Sequence, residues 1–262
     1  MVRLTAEGYV AHLRTESTRF LDVLTATRSE ALVPACPEWD ADDLLWHLAE
    51  VQWFWGTVIA TRPSRPPDQH PARPEGREAL LGFFDDVSSA LAEGLASADP
   101  DEAAWSWADD RTVGFTHRRQ AHEALIHRLD AEQTAGTVTP LPTELAADGV
   151  AELLETMYGG EPPSWGSFTP SGQHTAVELN DAGERIRVAT GVFEGTHPES
   201  GTRYDEAHVL RVDDGPADVV VRGSAADVDA WLWRRSDGTG VAVEGDRIAY
   251  AEWRSAVDQP LE

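Results

Sequence analysis

The sequence predicts an α+β chain, an all-helical bundle followed by a small α/β domain. Two observations carry this. Through roughly the first 158 residues apolar side chains recur at helical spacing, and beyond residue 172 they fall in short strand-like runs. Between them Gly159-Gly160-Glu161-Pro162-Pro163-Ser164 reads as a linker. The expected organisation is a bundle over 1–158, a linker over 159–172 and a small C-terminal domain over 173–262.

The elements follow in order. Val10, Leu13, Phe20, Leu21 and Leu24 form a stripe on a first helix, about Thr5 to Thr27. Val33 to Trp39 is a turn with two prolines. Asp40 then reads as an N-cap, with Asp42 and Asp43 in the first turn of a second helix that runs to about Ala60. A Pro-rich loop, Arg62 to Pro74, leads to a third helix over Glu75 to Ser97. A fourth spans about Thr116 to Thr134, with Gly136 placed to end it. A fifth runs from Pro142 to Tyr158, with proline in its first turn. Strand-like runs follow at 175–179, 185–188, 208–212 and 218–221. A helix fits between Ser224 and Arg235, and a last strand fits Arg247 to Tyr250 after the turn Gly245-Asp246.

Composition narrows the function classes. The net charge is −25, from 46 acidic residues and 21 arginines, with no lysine. Such a chain repels nucleic acid and anionic membranes, so neither is an expected partner. No apolar run reaches the ~20 residues of a bilayer span, and Met1 to Leu4 lacks the start of a secretory leader. The single cysteine, Cys36, cannot form an internal disulfide and suits a reducing, cytoplasmic setting. Between two prolines and with no placed base, it reads as a small buried hydrophobe. Arginine-only usage with abundant alanine and aspartate suggests an actinobacterial coding bias, though salt adaptation also raises acidic counts. A monomer is compatible with the sequence, and no long apolar edge argues for more.

The chemistry-bearing stretch is Arg118 to Ala131. Glu123 and His127 are four apart, so on a helix they reach a common point. With His47 from the second helix they make a candidate His₂Glu metal set that leaves a coordination position open. A plainer reading stands beside it. His47 falls in the middle of an apolar stripe (Leu44, Val51, Phe54, Val58), where a core histidine bonds a hydroxyl or carbonyl. Glu123, His127, Asp130 and Arg119 lie opposite Leu125, Ile126 and Leu129, as a solvated face with an Arg119–Glu123 pair would. Asp130 either orients a ligand histidine or faces water. His122 and His127 are five apart, about 140° around a helix, so they do not make the H-E-x-x-H site. The sequence carries no Gly-rich phosphate loop and no G-x-S-x-G elbow. Trp39, Trp46, Trp53 and Trp55 read as bundle core and cavity wall.

Three stretches together resemble one family, the mycothiol-dependent maleylpyruvate isomerases within the DinB-like metalloenzyme superfamily. Val33-Pro34-Ala35-Cys36-Pro37-Glu38-Trp39 through Asp43-Leu44 to His47-Leu48 is similar to that family's V-P-x-C-P-x-W…D-L-x-x-H-L. Arg118 to Ala131 is similar to its R-R-x-x-H-E-x-x-x-H-R-x-D-A. Gly223 to Asp227, Trp233 to Arg235 and Val243 to Asp246 are similar, more loosely, to its small sterol-carrier-like domain. The resemblance spans nearly the whole chain in the right order.

It implies a DinB-like four-helix bundle holding a divalent metal, usually zinc, on His47, Glu123 and His127. It also implies mycothiol as thiol cosubstrate and a small electrophile as substrate. A metal-bound thiol is a thiolate at neutral pH, and its attack leads to cis–trans isomerisation or S-transfer; bound water would instead hydrolyse. Arg235 stands where the family has the arginine of a Gly-Arg pair and is the candidate catalytic residue, while Arg234 replaces the glycine. Arg119 and Arg234 are candidates for holding the cosubstrate, and the arginines are also candidates for recognising a carboxylate, which guanidinium matches in two bonds. Arg234 and Arg235 also fit a solvated helix end. Two competing readings remain: a non-catalytic metal- or ligand-binding protein, and a metal-dependent hydrolase that uses no thiol.

Overall fold

In the computed structural model, which describes residues 3–259, four long helices build the N-terminal unit. Met1 and Val2, part of the leader reading above, lie outside the described residues, as do the last three residues of the C-terminal domain. The first helix, α1 (Ala6–Ala26), begins where the Thr5 hydroxyl accepts from Gly8 N. A two-stranded antiparallel ribbon, β1 (Leu32–Val33) and β2 (Cys36–Asp40), occupies the stretch expected to be a turn. Asp40 then caps α2 (Ala41–Thr61) in a full capping box with Asp43. After the Pro-rich loop come α3 (Arg77–Ser97) and α4 (Val113–Ala135), the latter capped by Thr112 and ended by Gly136 in the left-handed region, φ 76°.

The helices pack α1 on α4 and α2 on α3 most extensively. Their core falls into two clusters. Trp55, Val58, Leu91, Leu95, Phe115 and Ala124 fill one end. Phe20, Leu24, Leu44, Leu48, Phe84 and Ala131 fill the other. Each fully buried large side chain contributes roughly 1.5–3 kcal/mol. Cys36 is half-buried at the edge of the second cluster, less enclosed than expected of a buried hydrophobe.

The chain divides at Leu141/Pro142, so the boundary lies earlier than the one expected at residue 158. The fifth helix, α5 (Thr143–Glu152), which ends in a π-helical turn at Leu153–Met157, packs in the C-terminal unit. Its partner is α6 (Ala225–Leu232), capped by Ser224. The approach is close: a Cβ on Gly149 would sit 2.8 Å from Asp229 Oδ1. The Tyr158 hydroxyl donates to Leu232 O at 3.0 Å, fixing the same pair.

Five strands form one sheet in this unit. β3 (Gly166–Leu179), β4 (Glu184–Thr196), β5 (Arg203–Arg211), β6 (Val219–Gly223) and β7 (Ala242–Gly245) stand in the order β5-β4-β3-β6-β7. Only β3 and β6 run parallel. Much of the expected linker is therefore strand. Its glycine serves packing, because a Cβ on Gly166 would lie 2.3 Å from the Phe193 ring. The expected last strand at Arg247 to Tyr250 is instead the start of a helix, α7 (Arg247–Val257). Asp246 accepts from Ile248 N and Ala249 N, making a cap of what read as a turn, and Ala249, Trp253, Ala256 and Val257 bury at helical spacing. No described helix is long and apolar enough to cross a membrane.

Candidate metal and thiol site

The site is built on α2 and α4. His127 is 7% exposed in its side chain, and its Nδ1 donates to Asp130 Oδ2 at 3.0 Å, with Asp130 fully buried. That bond fixes the ring and directs Nε2 the other way, toward Glu123 Oε2 at 3.3 Å. His47 from α2 completes the group, its ring 4.8 Å from that of His127 at a steep angle of 73°. Trp39 from β2 covers His47 at 4.7 Å, which makes this tryptophan a wall of the site.

Arg119 closes the opposite side of the carboxylate, with Nε 3.3 Å from Glu123 Oε1. Its side chain is only 2% exposed, so the expected pair exists but not on a solvated face. Nor does the polar stripe of α4 face water. Thr116, Arg119, Gln120, His127 and Asp130 are all buried, and Glu123 is 19% exposed. The helix is enclosed on nearly every side, which a wheel drawn from sequence cannot show.

The electrostatics follow from enclosure. Burial by itself would raise the Glu123 carboxyl, but Arg119, His127 and His47 outweigh it and hold the pKa at about 2. Burial likewise opposes the charged form of His127, yet hydrogen bonds and charge from Asp130 and Glu123 prevail and leave its pKa above the ordinary value.

The donor chemistry fits a divalent cation: two imidazoles and a carboxylate, one histidine held by a carboxylate at its remote nitrogen. As placed, though, no three His, Cys, Asp or Glu side chains among the described residues are arranged to hold a metal ion. Glu123 instead bridges Arg119 and His127.

Two further residues share this face and are not singled out by their chemistry in the sequence. Thr116 and Gln120 continue the 116/120/123/127 spacing, which is the signal that would find them. Both are fully buried, and among the described residues the Thr116 hydroxyl and both amide atoms of Gln120 have no hydrogen-bond partner.

The other sequence candidates lie in the C-terminal unit at the end of α6. Arg234 is exposed, with φ 63°, the left-handed conformation that glycine adopts without cost. Arg235 is half-buried, donates from Nη1 to Trp233 O at 2.8 Å and stacks over the Trp233 ring at 6.0 Å.

Comparison with known proteins places this geometry in context. The family model of the mycothiol maleylpyruvate isomerase N-terminal domain matches residues 10–132. The MDMPI C-terminal domain model matches residues 144–252. The gap between the two matches contains the division at Leu141/Pro142. Among solved structures, a crystal structure of the mycothiol-dependent maleylpyruvate isomerase superimposes with a TM-score of 0.61 at 15% identity, covering 94% of this chain and 97% of the other. A histidine-to-alanine mutant of that enzyme gives 0.62 with the same identity and coverage. At that identity the likeness establishes the shared fold. No curated protein matches in sequence.

Proposed function

We propose, from the premise that this chain belongs to the mycothiol maleylpyruvate isomerase family, that it is a mycothiol-using enzyme acting on a small electrophile by isomerisation or S-transfer. The single observation that supports it most is the convergence of His47, Glu123 and His127, with His127 held by buried Asp130. These three residues would hold a divalent metal, zinc by default. Bound there, the metal would lower the pKa of a thiol so that it is a thiolate at neutral pH.

The chain's own residues then have defined roles. Asp130 keeps the His127 proton on Nδ1 and so keeps Nε2 a lone-pair donor. Arg119 neutralises the second oxygen of Glu123 and holds the carboxylate ionised. Trp39 shields the His47 side from water. A thiolate in this enclosure would add to a conjugated double bond, leaving a delocalised carbanion and a single bond free to rotate, and expulsion of the same thiolate would return the alkene with the opposite geometry. Displacement of a leaving group by the same thiolate would be S-transfer. Arg235, and Arg234 beside it, remain the candidates for recognising a substrate carboxylate.

Elemental analysis tests the reading, run beside mycothiol-dependent turnover of maleylpyruvate and other electrophiles. The expectation is about one divalent metal per chain, lost in His47→Ala and His127→Ala while helicity persists, with turnover lost alongside. Metal-dependent turnover without mycothiol would establish the hydrolase instead. No metal after reconstitution, and no turnover, would establish the non-catalytic binding protein.

A further inference from the structure

Gln120 and Thr116 pose a physical problem that the metal set leaves untouched. Gln120 is fully buried in the bundle, and neither its amide oxygen nor its amide nitrogen has a hydrogen-bond partner among the described residues. Thr116, also fully buried, has the same open hydroxyl one turn away. A buried polar group left unmade costs about 1–3 kcal/mol, and native interiors rarely carry several on one helix face. Helical spacing puts both on the face of Glu123 and His127. At 1.5 Å per residue Gln120 stands about 5 Å, and Thr116 about 10 Å, along the axis from Glu123.

Resting on the reading above, we infer that Gln120 and Thr116 form a subsite for the body of the thiol cosubstrate, while its sulfur lies at the His47/Glu123/His127 end. The chemistry of the two side chains selects the ligand segment. A carboxamide offers one acceptor and two donors, and a hydroxyl offers both roles. A substrate carboxylate only accepts, so it would leave the Gln120 oxygen unsatisfied. The matching segment is neutral and carries N–H or O–H donors beside carbonyl or hydroxyl acceptors. Mycothiol has this chemistry next to its sulfur, an amide and then sugar hydroxyls. The rise from Glu123 to Thr116 also suits an extended ligand better than a small electrophile.

Calorimetric titration of the zinc-reconstituted protein with mycothiol and with ethanethiol, a thiol that lacks the amide and hydroxyls, tests this. Wild type, Gln120→Leu, Gln120→Glu and Thr116→Val are compared, with metal content and thermal melting recorded for each. The subsite predicts that all variants keep the metal and bind ethanethiol within about twofold of wild type. Mycothiol binding should weaken about tenfold or more in Gln120→Leu and in Thr116→Val, the loss expected for one hydrogen bond to a buried partner. Gln120→Glu retains size and fold but not the donor and should weaken it comparably. Mycothiol affinity unchanged in variants that melt like wild type would overturn the subsite and leave a bridging water as the occupant. Equal weakening for both thiols would overturn it too, since the effect would then sit at the sulfur end. A wild type that holds metal yet binds no mycothiol would overturn the functional reading together with the subsite.

Discussion

Two polar clusters lie on α4, on faces separated by about one step of the helix, and they are built on opposite principles. On one, Arg128 is 2% exposed and bonded through Nε and Nη1. Its Nε donates to Glu16 at 2.7 Å and its Nη1 to Glu132 at 2.9 Å and to the Thr139 carbonyl at 3.1 Å. Glu132, with its side chain wholly buried, also accepts from Arg19 at 2.8 Å and from the Thr139 backbone N–H at 2.7 Å. Burial would raise its carboxyl, but Thr139, Arg19 and Arg128 hold it down. On the other face Gln120 and Thr116 keep hydrogen-bonding capacity unspent, and Glu123 and His127 are exchangeable partners of one another. These bonds from Arg128 and Arg19 to Glu16 and Glu132 make a strut that fastens α1 to α4. Unspent capacity at equal burial marks the face that receives something.

The sharpest way to break this contrast is to open the closed cluster. Arg128→Met leaves Glu16 without its guanidinium in the core, takes one of the partners of Glu132, and should cost about 3–5 kcal/mol, read by urea unfolding at pH 7. A loss under 1 kcal/mol would show that the network is not a strut. The open face should respond to acid instead. Because the Glu123 pKa falls from 4.5 to about 2 on folding, its stabilisation is complete above pH 4.5 and disappears as pH falls toward 2. His127 has the opposite sign: its pKa is raised, so its contribution is present below 6.5 and is lost as pH rises through the folded value. In metal-free protein, melting temperature against pH should therefore lose much of its acid limb in Glu123→Gln. An unchanged limb would mean that the carboxylate is not held by its neighbours.

Smaller effects sharpen the comparison. Gln120→Leu removes the two open amide atoms and should raise stability by about 1 kcal/mol, the reverse of Arg128→Met. Destabilisation of similar size in both would erase the distinction between the faces. In the C-terminal unit the Tyr158 hydroxyl is satisfied by Leu232 O, whereas Arg234 holds a strained backbone. Arg234→Gly should gain up to about 1 kcal/mol in thermal unfolding, and no gain would mean that the arginine side chain repays its strain locally.

What the sequence determined by itself is local. Caps at Asp40 and Ser224, the stop at Gly136 and the shared turn of Glu123 and His127 all follow from interactions within four residues, and the structure has each. The alternation of helical and strand-like patterning likewise separated a bundle from a sheet domain. It misjudged elements whose identity depends on a distant partner. Gly166 looked like linker because its reason is the Phe193 ring, and Arg247 to Tyr250 looked like strand because only the buried Trp253 face reveals a helix. Helix α5 carries no mark of which unit it joins, since that is decided by the fit of Gly149 to Asp229. Above all, tertiary structure decided that the polar side of α4 is an interior. A wheel assigns neighbours along one helix, but burial is set by what other elements lay against it, and that turned an apparent solvent face into an enclosure where Gln120 and Thr116 await partners.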